Sequence, residues 1–491
     1  MAAVPAFWKR LMSEARSTCP SGPLETIGPR EVDRRLLGPG YRAATLAIVG
    51  LVSLVAYEAI GNATVMPKAA AELNGVSLYG FAFGAPLAAS IVGMVASGRW
   101  ADEHSPLRPV WAGGACFIAG LVLAAASPSM NWLLAGRLVT GLGSGMLAVA
   151  LYAMVGRIYP GGLHSRIFAA FSAAWVLPSL IAPALSGGVA QAFGWRWAMV
   201  LVAALTVPVL ALLVPIRLAA ADAGRPATPA PKTRRLTWAV VAAGGALVMH
   251  VVGQGEAHGG GNLAIPTRLA ALLLAAAAVA LAVSAYRLLP AGTLRAKPGL
   301  PAAIALSGLS QGAFFAAEAF LPLLLHRQRG MPLGLAGLAL TAGALSWSIG
   351  AMYRARMHGR VTATWLLRGG LWMLGMGIAV SMLAIAPGVP VWTALLGWAV
   401  AGGGMGLISP TLSILTLAMA QPGSHGHAGA SLRLSAAMTT TGALALSGSA
   451  FAALLDRSAS AAFAVCLGIA ALLAAGGACL AGRVEAPIAC R

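Results

Sequence analysis

The feature that most constrains this chain is the recurrence of apolar runs of about twenty residues, nearly free of charge, from Ala43 to Leu480. Each is long enough to cross the roughly 30 Å hydrocarbon core of a bilayer as a helix. Backbone polar groups find no water there, so only helices and closed barrels span it, and runs of this length are helical. Composition agrees: 59% of the 491 residues are hydrophobic and 9% charged, against about 25% charged in soluble domains. The fold class is an all-α polytopic membrane protein.

The runs fall at about 43–66, 78–98, 109–127, 131–156, 166–192 and 197–216, then 237–255 and 265–289, then 301–325, 333–352, 363–386, 391–418, 429–453 and 459–481. This is six, two and six: two six-helix halves with two extra central helices. The expected units are a cytoplasmic tail (1–40), a first half (41–217), a Pro- and Arg-rich linker (218–236), the two extra helices (237–297), a second half (298–483) and a tail (484–491). Residues 1–40 are polar and Pro-containing and lack the apolar segment of a cleavable signal. The extra spans, Ala-rich and almost uncharged, are expected to face lipid.

Charge orients the chain. With the N-terminus inside, 26 of the 33 Lys and Arg fall on the cytoplasmic side, six fall outside and Arg137 lies within a span. That bias matches the positive-inside rule and puts both termini in the cytoplasm. The net charge of +20 therefore reflects short loops and not a nucleic-acid surface. The five cysteines have no metal-like spacing and do not read as a disulfide framework. His250 reads as structural or lipid-adjacent, and His425 and His427 as solvated, so no metal or other cofactor is expected.

Of thirteen acidic residues, Glu58 and Glu318 are the ones deep within spans. A carboxyl there is costly and marks a functional site by default. Both sit in the same local string, Ala56-Tyr57-Glu58-Ala59 and Ala316-Ala317-Glu318-Ala319, each followed by a proline (Pro67, Pro322). The echo points to two related halves facing each other. Glu58 reads as a proton carrier that loads from one side and discharges to the other, with a structural carboxyl as the alternative. Glu318 is its counterpart. Arg137 reads as the group that senses Glu58, or as a cation bonded to nearby carbonyls.

Four strings carry a resemblance. After the second span comes Gly98-Arg-Trp-Ala-Asp102-Glu-His-Ser-Pro-Leu-Arg108, expected as a loop. The fourth span holds Arg137-Leu-Val-Thr-Gly141-Leu-Gly143-Ser-Gly145. The fifth holds Ala182-Pro183-Ala-Leu-Ser-Gly187-Gly188, followed by Gly194-Trp-Arg-Trp197. Together they resemble the major facilitator superfamily, and within it the fourteen-span drug:proton antiporter branch. The resemblance runs from about Tyr41 to Arg483. It implies gating roles for Gly98, Asp102, Arg108, Gly141, Gly143, Gly145, Pro183, Gly187 and Gly188, with helix bending at Pro183, Gly187 and Gly188 as the gating device, although plain tight packing also explains glycine and proline there. Glu103, Ser105, Pro106 and Leu107 depart from the family's loop pattern, and its second-half counterpart, Gly350 to Arg356, has lost the acid. Glu58 is assigned by burial cost and the repeat.

Tyr57, Tyr152, Trp175, Phe314 and Phe315, with Tyr79, Phe81 and Phe83, are placed to line a central cavity for a bulky, partly apolar cation, although each taken singly also fits packing. The expectation is a monomeric exporter of amphipathic small molecules in the bacterial cytoplasmic membrane, driven by proton antiport. Its partners are the small-molecule substrate, protons and membrane lipids, not nucleic acid. Proton-coupled transport of lipids or nutrients on the same fold is the alternative. A lipid-modifying membrane enzyme is the more remote one, because no cluster of catalytic residue types stands at either membrane face.

Overall fold

The computed structural model describes residues 36–38, 40–75, 78–103, 105–216, 234–255, 267–357, 361–420, 425–455 and 457–484. The expected N-terminal tail up to residue 35, most of the linker and the last seven residues lie outside them. Among the described residues, fourteen helices of 17 or more residues follow one another. They are α1 (Arg42–Glu72), α2 (Tyr79–Glu103), α3 (Leu107–Ala125), α4 (Met130–Ile158), α5 (Gly161–Ala192), α6 (Trp195–Ala211), α7 (Arg235–Gly255), α8 (Thr267–Leu288), α9 (Leu300–Arg329), α10 (Leu333–Arg356), α11 (Ala363–Met382), α12 (Trp392–Met419), α13 (His425–Leu455) and α14 (Ala459–Leu480). Thirteen are long and apolar enough to cross a membrane. The other, α6, has 17 residues, about 25 Å at 1.5 Å per residue.

Two helices overrun their expected ends. α1 continues past Pro67 to Glu72 and α2 through Glu103. Gly98 to Glu103 is therefore helical and not loop, and Asp102 rides the last turn of α2. Membrane helices tolerate such prolines because neighbours satisfy the freed carbonyls. At Gly194 the chain turns into α6 with φ +98°, a conformation that favours glycine. The following Trp195 then donates to Glu72 at the end of α1 (2.6 Å).

The two sets of six pack alike. α4 lies between α2 and α3, and α12 between α10 and α11; α1 lies along α5, and α9 along α13. The halves meet where α2 touches α13 and where α5 touches α10. The extra helices correct an expectation. α8 turns Leu272, Val279 and Tyr286 outward, but α7 is wedged against both α2 and α13. His250 of α7 is fully buried and stacks on Phe81 of α2 (ring centroids 5.3 Å apart). It sits over Gly84, where any side chain would collide with the imidazole. A helix expected to face lipid instead covers the seam between the halves.

Candidate functional site

The buried pair. Glu58 and Arg137 are 7% and 4% exposed and form an ion pair between α1 and α4. Glu58 Oε1 accepts from Arg137 Nη1 and from Asn62 Nδ2, one helical turn on. Arg137 Nε donates to the Ala82 carbonyl of α2 (3.2 Å). Two charges survive here because each has opposite charge and hydrogen bonds in place of water.

The glycines of α4 bring Arg137 this close. A Cβ at Gly141 or Gly145 would strike the Pro86 or Ser90 backbone of α2, and one at Gly143 the Phe117 and Gly113 backbone of α3. Helix backbones touch directly, as small residues permit. The second half repeats this contact for contact. Gly402 and Gly406 of α12 lie on Gly343 and Trp347 of α10, and Gly404 lies on Gly370 of α11. The charge is not repeated. Where Arg137 stands one turn before Gly141, Trp398 stands one turn before Gly402. Trp398 stacks on Phe314 (4.7 Å), one turn before Glu318. Glu318 is half-buried and makes no hydrogen bond or ion pair with any described residue. The expected symmetry thus holds for backbone packing and fails for the carboxyls: one is paired, the other is not.

Around Glu58, the fifth-span string takes a definite place. Ser186 of α5 donates to the Tyr57 hydroxyl (3.0 Å). Gly61 makes room, since a Cβ there would lie 2.5 Å from Ser186 Oγ. Pro183 is buried within α5. Gly187 meets nothing nearer than Thr64 Cγ2 at 3.7 Å, and Gly188 has nothing within 4 Å, so close packing does not explain these two. A cavity of ≈ 10 Å³ opens between Tyr57, Glu58, Gly61, Asn62, Ser186 and apolar side chains of α3 and α6.

The other expected residues are dispersed. Tyr152 of α4 packs edge-on against Phe171 (5.2 Å) and accepts from Arg433 of α13 (3.1 Å), so it does lie between the halves. Trp175 is half-buried on α5. Phe314 is 3% exposed, packed by Trp347, Trp398 and Phe315. Gly98 has only Val149 near it (3.7 Å). Arg108 is exposed at the start of α3, and the Asp102 side chain is outside the described set. Arg157, at the end of α4, donates to the Ala101 carbonyl beside it (2.9 Å). A cavity of ≈ 140 Å³ lies at the far ends of α1 and α9, lined by Pro67, Tyr79, Leu323, His326 and Arg327.

Sequence reasoning passed over Asn62, Ser186, Trp398 and the glycines at 402, 404 and 406. Asn62 was findable, because a polar residue one turn from a buried carboxyl shares its face. The glycine triplet was findable too, since it repeats the spacing at 141, 143 and 145. Ser186 gave no signal of its own.

The Major Facilitator Superfamily profile matches residues 46–443. A probable multidrug-efflux transporter of Mycobacterium tuberculosis is 27% identical over 426 residues, 84% of this chain and 86% of the relative. A probable actinorhodin transporter of Streptomyces coelicolor is 28% identical over 468 residues, 90% of this chain and 78% of the relative. Among solved structures, a POT family transporter aligns with TM-score 0.65 at 14% identity, covering 90% of this chain and 96% of its own. A D-xylose–proton symporter aligns with TM-score 0.60 at 13% identity, covering 89% and 96%. These last two similarities speak for the fold alone. The chain is an integral multi-pass membrane protein of the Major Facilitator Superfamily, a transporter and not an enzyme.

Proposed function

We propose that this transporter exports amphipathic small molecules, cationic or neutral, across the bacterial cytoplasmic membrane in exchange for protons, with all fourteen helices spanning and both termini cytoplasmic. The efflux direction is supported by the similarity to multidrug and antibiotic exporters. The observation that carries proton coupling is the Glu58–Arg137 pair between α1 and α4. Protonating Glu58 cancels one charge of the pair and leaves Arg137 its bond to Ala82. Breaking a buried pair costs on the order of 3–5 kcal/mol, while one charge crossing the membrane supplies about 2.3 kcal/mol per 100 mV. The two are of similar size, so protonation is able to bias α1 against α4 between two arrangements. Glu318, with no cation beside it, is left to meet a cationic substrate or a second proton. Pro183, Gly187 and Gly188 give α5 a place to bend where the halves move, and Gly98, Asp102 and Arg108 mark the end of α2 that moves with them.

The test is transport in proteoliposomes under an imposed pH gradient, with ethidium and a panel of neutral antibiotics as probes. Wild-type protein should exchange probe for protons. Glu58→Gln should lose gradient-driven movement by about 10²-fold or more while still binding probe. Full gradient-driven export by Glu58→Gln would overturn the coupling role of Glu58, and uptake in place of export would overturn the efflux reading.

A further inference from the structure

Glu58 uses only one of its oxygens in the ion pair. Oε1 receives both Arg137 and Asn62, and Oε2 meets no donor among the described residues. The cavity beside it, ≈ 10 Å³, is about the room the centre of one water molecule needs. Its wall is polar on one side, where Tyr57, Glu58 and Asn62 of α1 face Ser186 of α5, and apolar on the other, where Leu121 of α3 and Ala198, Met199 and Val202 of α6 close it. Four polar side chains, Tyr57, Glu58, Asn62 and Ser186, line it, enough to supply the two to four partners that a buried water needs. Arg137 is the charged group facing Glu58 from α4; α5 brings a hydroxyl, and α3 and α6 bring none.

The hydroxyls are already in series. Ser186 donates to Tyr57, which leaves the Tyr57 hydrogen for the next acceptor. Beyond Ser186, polar side chains of α1 recur along the seam toward the helix end. Thr64 borders Gly187, Lys68 donates to the Ala190 carbonyl (2.9 Å), and Glu72 takes the indole of Trp195. Tyr57, Gly61, Thr64, Lys68 and Glu72 are three or four residues apart and so share one stripe of α1.

We propose that this cavity is a single-water site and that Tyr57 and Ser186 hold its water against Glu58 Oε2, so that protons reach the carboxyl along the α1–α5 seam, inside the first half, and not through the space between the halves that the substrate uses. The inference rests on Glu58 being the proton carrier. In the step, the water gives a proton to Oε2, turning carboxylate into carboxylic acid, and takes one from the Tyr57 hydroxyl, which takes one from Ser186, which is refilled from the seam. The water, Tyr57 and Ser186 each give one proton and receive one, Oε2 only receives, and the net proton, supplied by bulk water at the helix end, leaves the carboxyl neutral. Tyr57 and Ser186 are positioning residues. A separate proton route explains how exchange avoids short-circuit: the substrate does not occupy the path of the ion that drives it.

The experiment follows carboxyl protonation by time-resolved infrared spectroscopy after a pH jump, on the full chain in lipid nanodiscs. The band of interest is the carboxylic-acid stretch absent from Glu58→Gln. Ser186→Ala and Tyr57→Phe should slow its appearance on the order of 10²-fold while its final amplitude at each pH stays as in wild type. Ser186→Thr should restore the rate. A purely structural role would change amplitude or stability, which threonine rescue of the rate would not follow. Wild-type rates in both Ser186→Ala and Tyr57→Phe would overturn the relay and leave the carrier role standing. A wild-type spectrum with no band assignable to Glu58 would overturn the carrier role, and the relay with it.

Discussion

At the scale of single residues, the energetics of this molecule concentrate in one buried pair. Glu58 and Arg137 each sit where an unpaired charge is prohibitive, and each is tolerated because of the other. Removing one partner should therefore cost more than removing both. Arg137→Leu is expected to destabilise the protein by about 3–5 kcal/mol, because it leaves the Glu58 carboxylate buried with only Asn62 beside it. Glu58→Gln combined with Arg137→Leu should recover much of that loss. Unfolding followed by tryptophan fluorescence in detergent, across wild type, both single variants and the double variant, gives the coupling energy directly. A loss in the double variant equal to the sum of the two single losses would mean that the pair contributes nothing beyond its parts. Trp398 shows the other solution at the matching position: an aromatic ring stacked on Phe314 fills the space and demands no counter-charge.

At the scale of helices, two kinds of glycine look identical in the sequence and differ in the structure. Gly141, Gly143 and Gly145 are contact points, where a methyl group would meet the backbone of α2 or α3. Backbone cannot move aside as a flexible side chain can, so Gly141→Val and its counterpart Gly402→Val should both abolish a monodisperse protein peak in size-exclusion chromatography. Gly188 has open space around it. Gly188→Ala should leave that peak intact and stiffen α5 by about 1 kcal/mol, the usual helix preference of alanine over glycine. If α5 bends during transport, the same variant should show slower turnover with unchanged probe binding. Unchanged turnover would assign Gly188 no part in the motion.

At the scale of the whole molecule, the two halves touch along α2–α13 and α5–α10, and α7 braces the first of these seams. Among the described residues, a polar bridge crosses between them from Arg433 to Tyr152 (3.1 Å). It joins the C-terminal part of α4 to the N-terminal part of α13. Tyr152→Phe keeps the ring and removes that bond, worth about 1 kcal/mol, or roughly a fivefold change in an equilibrium constant. Spin labels on Arg166 and Arg368, exposed on the two halves, should then report a larger population with that end open. An unchanged distance distribution would mean that the bridge does not hold the halves together.

The apolar helices, the loop charge bias and the identity of Glu58, Glu318 and Arg137 as residues out of place in lipid were legible in the sequence, because hydrocarbon imposes a one-dimensional test on every window of about twenty residues. Pairing was not legible. Glu58 and Arg137 are 79 positions apart, and nothing in either string says that one carboxyl has a cation while its echo at Glu318 has none. Nor does the run around His250 say that α7 closes a seam, since an alanine-rich helix is equally content against lipid or against another helix. Ser186 is the sharpest case. It is an ordinary residue in a string of small ones, and only the approach of α5 to α1 over Gly61 places its hydroxyl beside Tyr57 and Glu58. Burial in a membrane is decided residue by residue along the chain, whereas partnership is decided by which helix backbones come close enough to touch.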